Sequence, residues 1–250
     1  MKKALAIIAV VLLLLAAGYW TGKKLITRRI DREMTKQLQK SVRPYISNPE
    51  NLKVENTRDA QIGRGTVRLP EVQVTGKDLQ FPHNIEAKSA EVVVRDVTVD
   101  TKTKKVSSVG EGSYEITLSA EDLTRLLRQQ RDMKVEGVQV LPETVSVTLS
   151  RQDGITLAGE GTEEASARRL PFTLRGKLAP DADGKMVFQV AEGTRGGEAF
   201  TGLAGEAYSL PGGTLLPPQL ESGRVREVVI GDGAITFKGS FDGAQLLQNR

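Results

Sequence analysis

Few residues of this 250-residue chain have the types and spacing that enzymes use for chemistry. The chain has no cysteine, which excludes disulfides, thiolate nucleophiles, thiolate metal sites and a lipoprotein cysteine. Its single histidine, His83, lies in a turn-like Phe-Pro-His-Asn sequence and has no second histidine or cysteine with which to bind a metal. We therefore interpret His83 as a surface turn residue.

Glycine-rich motifs and acid pairs do not form a recognisable active site either. Gly110-x-Gly112 lacks the third glycine of a dinucleotide fingerprint and precedes a predicted strand rather than a helix. Nucleophile elbows and phosphate loops are absent from the sequence. The neighbouring acids Glu121-Asp122 and Glu163-Glu164 are expected at a helix start or on the surface. The sequence thus predicts no catalytic, cofactor-binding or metal-binding residue, and no enzyme.

Positive charge is concentrated at the start of the chain. Residues 1–43 contain ten Lys or Arg and two acidic residues, whereas the other 207 residues contain 25 basic and 29 acidic residues. The main body is therefore mildly acidic, although the net charge of the whole chain is +4. A domain that binds nucleic acid carries its basic surface on itself, so nucleic acid is not expected as a partner.

The first 22 residues are predicted to be a signal anchor or transmembrane helix. Two lysines precede an apolar run over residues 4–20 that ends in Tyr19 and Trp20. Seventeen residues is the lower limit for crossing a bilayer, and aromatic residues are common at the membrane interface. A cleaved signal peptide followed by secretion is the alternative, but Leu15 and the aromatic pair fit a cleavage site poorly.

The orientation of this segment rests on two opposing signals. Basic residues after the span would keep that side cytoplasmic under the positive-inside rule. A short Lys-Lys start before an early hydrophobic core is typical of exported chains, and long domains translocate largely regardless of charge. We expect a single N-terminal span in the cell membrane with the body outside the cytoplasm.

Residues 23–43 are predicted to form a basic amphipathic helix. Ile26, Ile30, Met34, Leu38 and Val42 recur every four residues on a helix rich in Lys and Arg. The apolar stripe is expected to pack on the rest of the domain, and the basic face could also contact anionic lipid headgroups. Pro44 and the Ser-Asn-Pro sequence at 47–49 mark the boundary to the body.

Residues 44–250 are predicted to form an antiparallel β-rich body, with the basic helix as part of the same domain. Apolar residues alternate with polar ones around Val67, Val97 and Val147, and Asp-Gly turns occur at 153–154, 183–184 and 232–233. Residues 193–218, rich in Gly and Pro, are predicted to be a long loop with one short ordered piece. A sheet with one apolar face and few helices must close on itself or hold something apolar.

One short helix is expected among the strands. Ser119 is a good N-cap, and Asp122 three residues later makes a weaker form of the capping box. Leu123, Leu126 and Leu127 then share one apolar helix face, which must be buried somewhere.

The order of these elements resembles the LmeA-like phospholipid-binding family of bacterial envelope proteins over residues 20–240. The segments that carry the resemblance are VQVTGKDL (72–79), VVVRDVTVD (92–100), ITLSAEDLTRLL (116–127), LPFTLRGKL (170–178) and LPPQLESGRVREVVIGDGAITFKG (216–239). The family is similar to tubular lipid-binding (TULIP-like) domains, in which a curved antiparallel sheet wraps a long helix around an apolar groove.

The resemblance implies a mainly β (α+β) fold in which the sheet wraps the helix at residues 24–42. It also implies that an apolar groove holds phospholipid, in contact with Leu123, Leu126, Leu127, Ile30, Met34 and Leu38. The expected function is a membrane-anchored protein that binds or shuttles phospholipid in the cell envelope. Two alternatives remain: a ligand-free structural or interaction domain at the membrane surface, and, least favoured, an enzyme of envelope lipid or glycan metabolism.

Overall fold

A computed structural model shows that the chain folds mainly into antiparallel β-strands. The structure describes residues 26–81, 84–100, 102–103, 106–130, 133–135, 137–164, 166–182, 186–200, 205, 207–209 and 224–244. These residues include two α-helices, α1 (Ile26–Val42) and α2 (Ala120–Arg128), and two 3-10 turns, Pro49–Asn51 and Pro142–Thr144. The prediction of a mainly β, antiparallel fold is confirmed.

The strands of the described residues are numbered in chain order. They are β1 (Leu52–Asn56), β2 (Gln61–Ile62), β3 (Thr66–Phe81), β4 (Ile85–Asp100), β5 (Val106–Ser108), β6 (Glu111–Ser119), β7 (Lys134–Val135), β8 (Val138–Val140), β9 (Ser146–Ser150), β10 (Gly154–Glu163), β11 (Arg169–Pro180), β12 (Met186–Arg195), β13 (Glu198–Ala199), β14 (Ala207–Ser209), β15 (Arg224–Gly231) and β16 (Ala234–Asp242).

The described strands form two sheets. In the first sheet the order is β1-β3-β4-β6-β16-β15, with β2 beside β3 and β5 beside β4. In the second sheet the order is β13-β12-β11-β10-β8-β7, with β14 beside β12 and β9 beside β10. The strand pairs in both sheets are antiparallel. One core of buried residues includes side chains from both sheets and both helices.

The long β3–β4 hairpin does not bury the same face along its whole length. Strict alternation places Val94 and Val97 on opposite faces, but both are buried. Between them, Asp96 has a positive φ of 53° and lies opposite Pro70, which has no N–H to donate to the ladder. Because a left-handed residue breaks the two-residue period of a strand, the buried positions change phase at Asp96.

Two aromatic rings in the first sheet lie over glycines of the neighbouring strand. Phe241 pairs with Gly112, and Tyr114 pairs with Gly239, so the two pairs are neighbours on strands β6 and β16. A Cβ atom on either glycine would overlap the ring of its partner. These glycines therefore give the two buried rings the space they occupy.

Helix α1 packs along β1, the strand at one edge of the first sheet. Met34, Leu38 and Val42 follow a four-residue period and are 2%, 0% and 0% exposed. The Nε2 atom of Gln39 donates a hydrogen bond to the carbonyl of Leu52 on β1 at 3.0 Å. The helix therefore buries its apolar stripe in the core. That the sheet wraps around this helix stays a prediction.

Helix α2 lies where the two sheets meet. The hydroxyl of Ser119 accepts a hydrogen bond from the N–H of Asp122 at 3.1 Å, so the predicted N-cap is confirmed. The carboxylate of Asp122 accepts a bond from the N–H of Glu86 on β4 at 2.8 Å. At the other end, the Arg128 guanidinium donates to the carbonyl of Val145, just before β9, at 2.8 Å. Hydrogen bonds thus fix α2 to both sheets.

Two of the predicted Asp-Gly turns close hairpins that touch one another. Residues 153–154 join β9 to β10, and residues 232–233 join β15 to β16. The N–H of Arg151 donates to the Asp232 carboxylate at 3.0 Å, and the N–H of Gly233 donates to the carbonyl of Leu149 at 3.1 Å. The two hairpins therefore link the two sheets. The third predicted turn, at 183–184, lies outside the described residues.

Other predictions also fall outside the described residues, namely the apolar run at 4–20 and His83. No helix among the described residues is long and apolar enough to cross a membrane. The predicted loop at 193–218 is corrected in part: β12 continues through Arg195, and the short strands β13 and β14 follow it.

Candidate functional site

One face of the first sheet is apolar across six strands, and we call it the inner face. Direct cross-strand partners point to the same side of a sheet, so the register identifies the residues that share this face. They form three rows: Leu52, Gly76, Ala90, Ile116, Phe237 and Val228; Val54, Val74, Val92, Tyr114, Gly239 and Val225; and Ala87, Leu118, Ile235 and Ile230.

Part of the inner face is closed and part is half-open. Phe237 and Ile235 are both 0% exposed. Their neighbours in the rows are only partly buried, although they pack against the same core: Ala90, Val92, Ile116, Val228 and Ile230. Half-buried apolar side chains keep surface in contact with water, and an apolar ligand that covered it would gain about 0.8 kcal/mol per buried CH₂ group.

The opposite face of the same sheet is polar. The carboxylate of Glu71 accepts a hydrogen bond from the hydroxyl of Thr57 at 2.6 Å and forms an ion pair with Arg95 at 3.4 Å. The bond from Thr57 is the main reason that the pKa of Glu71 is lowered. On β16, Lys238 pairs with Glu227 of β15 at 3.4 Å. A face held together by exposed ion pairs is suited to water, so the inner face is the candidate for an apolar ligand.

The leucines of α2 divide into two environments. Leu123 and Leu127 are 1% and 5% exposed and are closed off in the core. Leu126 is only partly buried and packs against the edge of the same core. Among the three predicted lipid contacts on this helix, Leu126 therefore keeps the most surface for a ligand.

The three predicted lipid contacts on α1 are placed less favourably. Met34 and Leu38 are 2% and 0% exposed, so protein atoms already cover them. Ile30 lies within α1, but its side chain is outside the described residues. Contact of these side chains with lipid stays a prediction.

The half-open positions of the inner face were missed by the sequence analysis. Ile116 alternates with polar residues, as any half-buried strand residue does, and Val92 lies in a run of three valines. The signal that distinguishes them is the pairing of distant strands, such as Ile116 on β6 with Phe237 on β16, and a single sequence does not contain that register.

A pocket lined mostly by polar and charged residues lies between α1 and β1, at the edge of the inner face. It has a volume of about 650 Å³, and its lining includes Val54, whose row continues across the inner face. The N–H of Val54 donates to the hydroxyl of Thr35 on α1 at 3.0 Å, which holds the helix and strand together beneath the pocket. We call this the α1–β1 pocket. Its full lining is Asp31, Arg32, Thr35, Lys36, Lys53, Val54, Glu55 and Asn56.

Two groups in the α1–β1 pocket are in unusual electrostatic environments. Burial is the main cause that raises the pKa of Asp31, although its carboxylate accepts a hydrogen bond from the N–H of Asn56 at 3.2 Å. The side-chain Oδ1 atom of Asn56 is buried and has no hydrogen-bond partner among the described residues. The lining thus contains a carboxyl group whose pKa is raised and a residue with an unused hydrogen-bond acceptor.

A second buried polar atom lacks a partner within the described part of the chain. The hydroxyl of Tyr114, on the inner face, makes no hydrogen bond there, and the residue is 3% exposed. Burial raises the pKa of this phenol well above its ordinary value. Tyr114 therefore stays neutral and adds a single polar group to an otherwise apolar face.

The acid pairs considered in the sequence have structural roles. Asp122 accepts hydrogen bonds at the start of α2, and Arg125 forms an ion pair with Glu121 on the same helix. In the second sheet, Lys134 pairs with Glu164 at 2.6 Å and Arg195 with Glu163 at 3.5 Å. Across the described ranges, no three His, Cys, Asp or Glu side chains are grouped as metal ligands would be.

A family model described as LmeA-like phospholipid-binding matches residues 21–240, nearly the whole chain. No curated protein and no solved structure matches the chain. The match includes both helices, the α1–β1 pocket and the strands of the inner face, apart from the last two residues of β16.

Proposed function

Because the chain belongs to the LmeA-like phospholipid-binding family, we propose that it holds a phospholipid with the acyl chains against the inner face of the first sheet. The family match over residues 21–240 carries this proposal. The half-buried side chains of Val92, Ile116 and Val228 supply apolar surface, and the partly buried Leu126 extends it onto α2. In the tubular lipid-binding arrangement, the sheet would curve around α1 and form the walls of the groove.

The proposal includes attachment to the cell membrane, with the body outside the cytoplasm. Residues 4–20 would anchor the chain, and the eight Lys or Arg residues at 23–43 would lie near anionic headgroups. This arrangement would let the protein take lipid from the bilayer and hold or shuttle it in the envelope. Secretion after cleavage of the first segment is the alternative location.

The orientation is tested with a reporter fused after Arg250. We expect a reporter that is active only in the cytoplasm to be silent, because the short basic start and the apolar run direct export. A reporter that is active only outside the cytoplasm, fused at the same point, serves as the control and should give signal. Activity of the cytoplasmic reporter would contradict the proposed orientation.

Lipid binding on the inner face is tested with two tryptophan substitutions on neighbouring residues of β15. Val228 is half-buried on the inner face, whereas Val229 points to the other side and is 42% exposed. Val228→Trp should fill the space for an acyl chain, and we expect it to lower the lipid recovered per folded molecule. The measurement is mass spectrometry of lipid extracted from the purified full chain.

Val229→Trp is the matched control, because it adds the same side chain to the same strand on the opposite face. It should leave lipid recovery unchanged, and melting curves of both variants separate lost binding from lost folding. Equal recovery from the two variants would place the lipid elsewhere. Absence of lipid from the wild-type protein would favour the alternative of a structural domain without a ligand.

A further inference from the structure

We propose that the α1–β1 pocket binds the headgroup of a phospholipid that carries a hydrogen-bond donor, with Arg32 and Lys36 on the phosphate and Asn56 on the donor. The inference rests on the proposed function, because it assigns the polar end of the same lipid. The pocket would prefer lipids whose headgroup has a hydroxyl or primary ammonium group, such as phosphatidylglycerol or phosphatidylethanolamine. Phosphatidylcholine, whose headgroup has no hydrogen-bond donor, would bind less well.

The charge of the pocket suits a phosphodiester. Among the described residues, Arg32 and Lys36 are exposed and have no ion-pair partner. Lys53 is paired with Glu55 at 3.3 Å, so that cation is already partly neutralised. Counted with Asp31, the lining has three cations and two carboxyl groups, a net charge of about +1, which matches the single negative charge of a phosphodiester.

The unused acceptor of Asn56, a residue that lines the pocket, would give the site its selectivity. Asn56 Oδ1 is buried without a partner, and a buried acceptor is stabilised by any donor that reaches it. The Asp31 carboxyl also lines the pocket, where it accepts a hydrogen bond from the Asn56 backbone N–H at 3.2 Å, and adds a second acceptor. A hydroxyl or an ammonium group on the headgroup satisfies these acceptors, whereas the three methyl groups of choline cannot.

The position of the pocket fits a molecule with one polar and one apolar end. Val54 lines the pocket, and its cross-strand partners Val74 and Val92 lead onto the inner face. A volume of about 650 Å³ is within the range of small-molecule sites and exceeds the size of a glycerophosphate headgroup. The headgroup would sit between α1 and β1, and the acyl chains would extend toward the half-buried positions that begin at Val92. To reach them the chains would pass Val54 and Val74, which are each 3% exposed in the empty protein.

The test uses the full chain and vesicles that contain equal amounts of phosphatidylglycerol, phosphatidylethanolamine and phosphatidylcholine at one ionic strength. After separation from the vesicles, lipid bound to the protein is extracted and measured by mass spectrometry. The wild-type protein should be enriched about 2–10-fold in the two donor-bearing lipids over phosphatidylcholine, which corresponds to one hydrogen bond. Asn56→Leu, which keeps the size and the backbone N–H, should remove the enrichment and leave total lipid nearly unchanged.

The phosphate contact is tested with charge-neutralising variants of α1. Arg32→Gln combined with Lys36→Gln should lower the recovery of all three lipids. Arg43→Gln combined with Lys40→Gln is the matched control, because it removes two charges from the exposed end of the same helix segment outside the pocket lining. The control should lose less lipid. Equal losses would mean general attraction to anionic membranes and would overturn the pocket assignment.

Four further outcomes are decisive. A wild-type protein without a headgroup preference, or an Asn56→Leu variant that keeps it, would overturn the inference while lipid binding itself stands. Water-soluble glycerophosphoglycerol is the control for a free phosphodiester. If it displaces bound lipid as efficiently as phosphatidylglycerol does, the pocket binds a free phosphodiester rather than a lipid. Recovery of no lipid of any class from the wild-type protein would overturn the proposed function and the inference together.

Discussion

Leu123→Ala should lower the free energy of unfolding by about 2–5 kcal/mol, because the side chain is 1% exposed and its removal leaves a cavity in a closed core. For a chain of this length, each kcal/mol corresponds to about 2–4 °C in melting temperature. The surroundings of α2 cannot collapse easily onto the cavity. Thr124 fixes the helix by accepting a hydrogen bond from the N–H of Val147 at 3.0 Å, and Arg128 is bonded to Val145.

Leu126→Ala is the matched comparison on the same helix face. Leu126 is only partly buried, so the empty protein should lose less stability than it does with Leu123→Ala. If a lipid covers the exposed part of Leu126, the amount of lipid recovered per folded molecule should fall. Melting curves of the delipidated variants and mass spectrometry of bound lipid measure the two effects. Equal melting shifts with unchanged lipid recovery would show that both leucines are plain core residues.

The sequence predicted what depends on neighbours along the chain. Ser119 and Asp122 are three residues apart, and a helix cap needs no other part of the protein, so the start of α2 was found correctly. The mainly β class followed from a two-residue period in segments such as 145–149, where Val145, Val147 and Leu149 are all buried. These signals are local, and the structure confirms them at these positions.

The inner face depends on information that one sequence does not contain. Ile116 belongs to it because β6 pairs with β16, far along the chain, in one particular register. Alternation also failed within β4, where the positive φ of Asp96 opposite Pro70 reverses the buried phase. Val94 and Val97 are therefore both buried, although the two-residue period places them on opposite faces.

The α1–β1 pocket was missed for a different reason. Its polar residues are ordinary in sequence: Arg32 and Lys36 belong to a basic helix, and Asn56 ends a short strand. What makes them a candidate site is that α1 and β1 come together, so that the Asp31 carboxyl accepts from the Asn56 backbone N–H while the Asn56 side-chain oxygen has no partner. Such a meeting of two elements is a tertiary property.

The second large effect is expected at Gly112, beneath the ring of Phe241. A Cβ atom at this position would overlap the ring, and all the nearest atoms that it would meet belong to that side chain. Because Phe241 is only 3% exposed, its ring has little free space into which it can move. Gly112→Ala should therefore cost about 1–3 kcal/mol of stability through overpacking. Gly231→Ala, at the start of the β15–β16 turn, is the control, because its Cβ would meet only the Ala234 carbonyl at 3.6 Å.

A double-mutant cycle tests whether the ring is the cause. Phe241→Ala alone should cost about 3–5 kcal/mol, because it empties a buried site next to Gly112. In the double variant the new Cβ has no ring to displace, so its loss should be close to that of Phe241→Ala alone. The coupling between the two positions should then be about 1–3 kcal/mol, measured from the free energies of unfolding of the four proteins. If the two losses simply add, Gly112 is required for its backbone conformation rather than for the space it gives the ring. The contact between ring and glycine across β6 and β16 would then not hold this part of the inner face together.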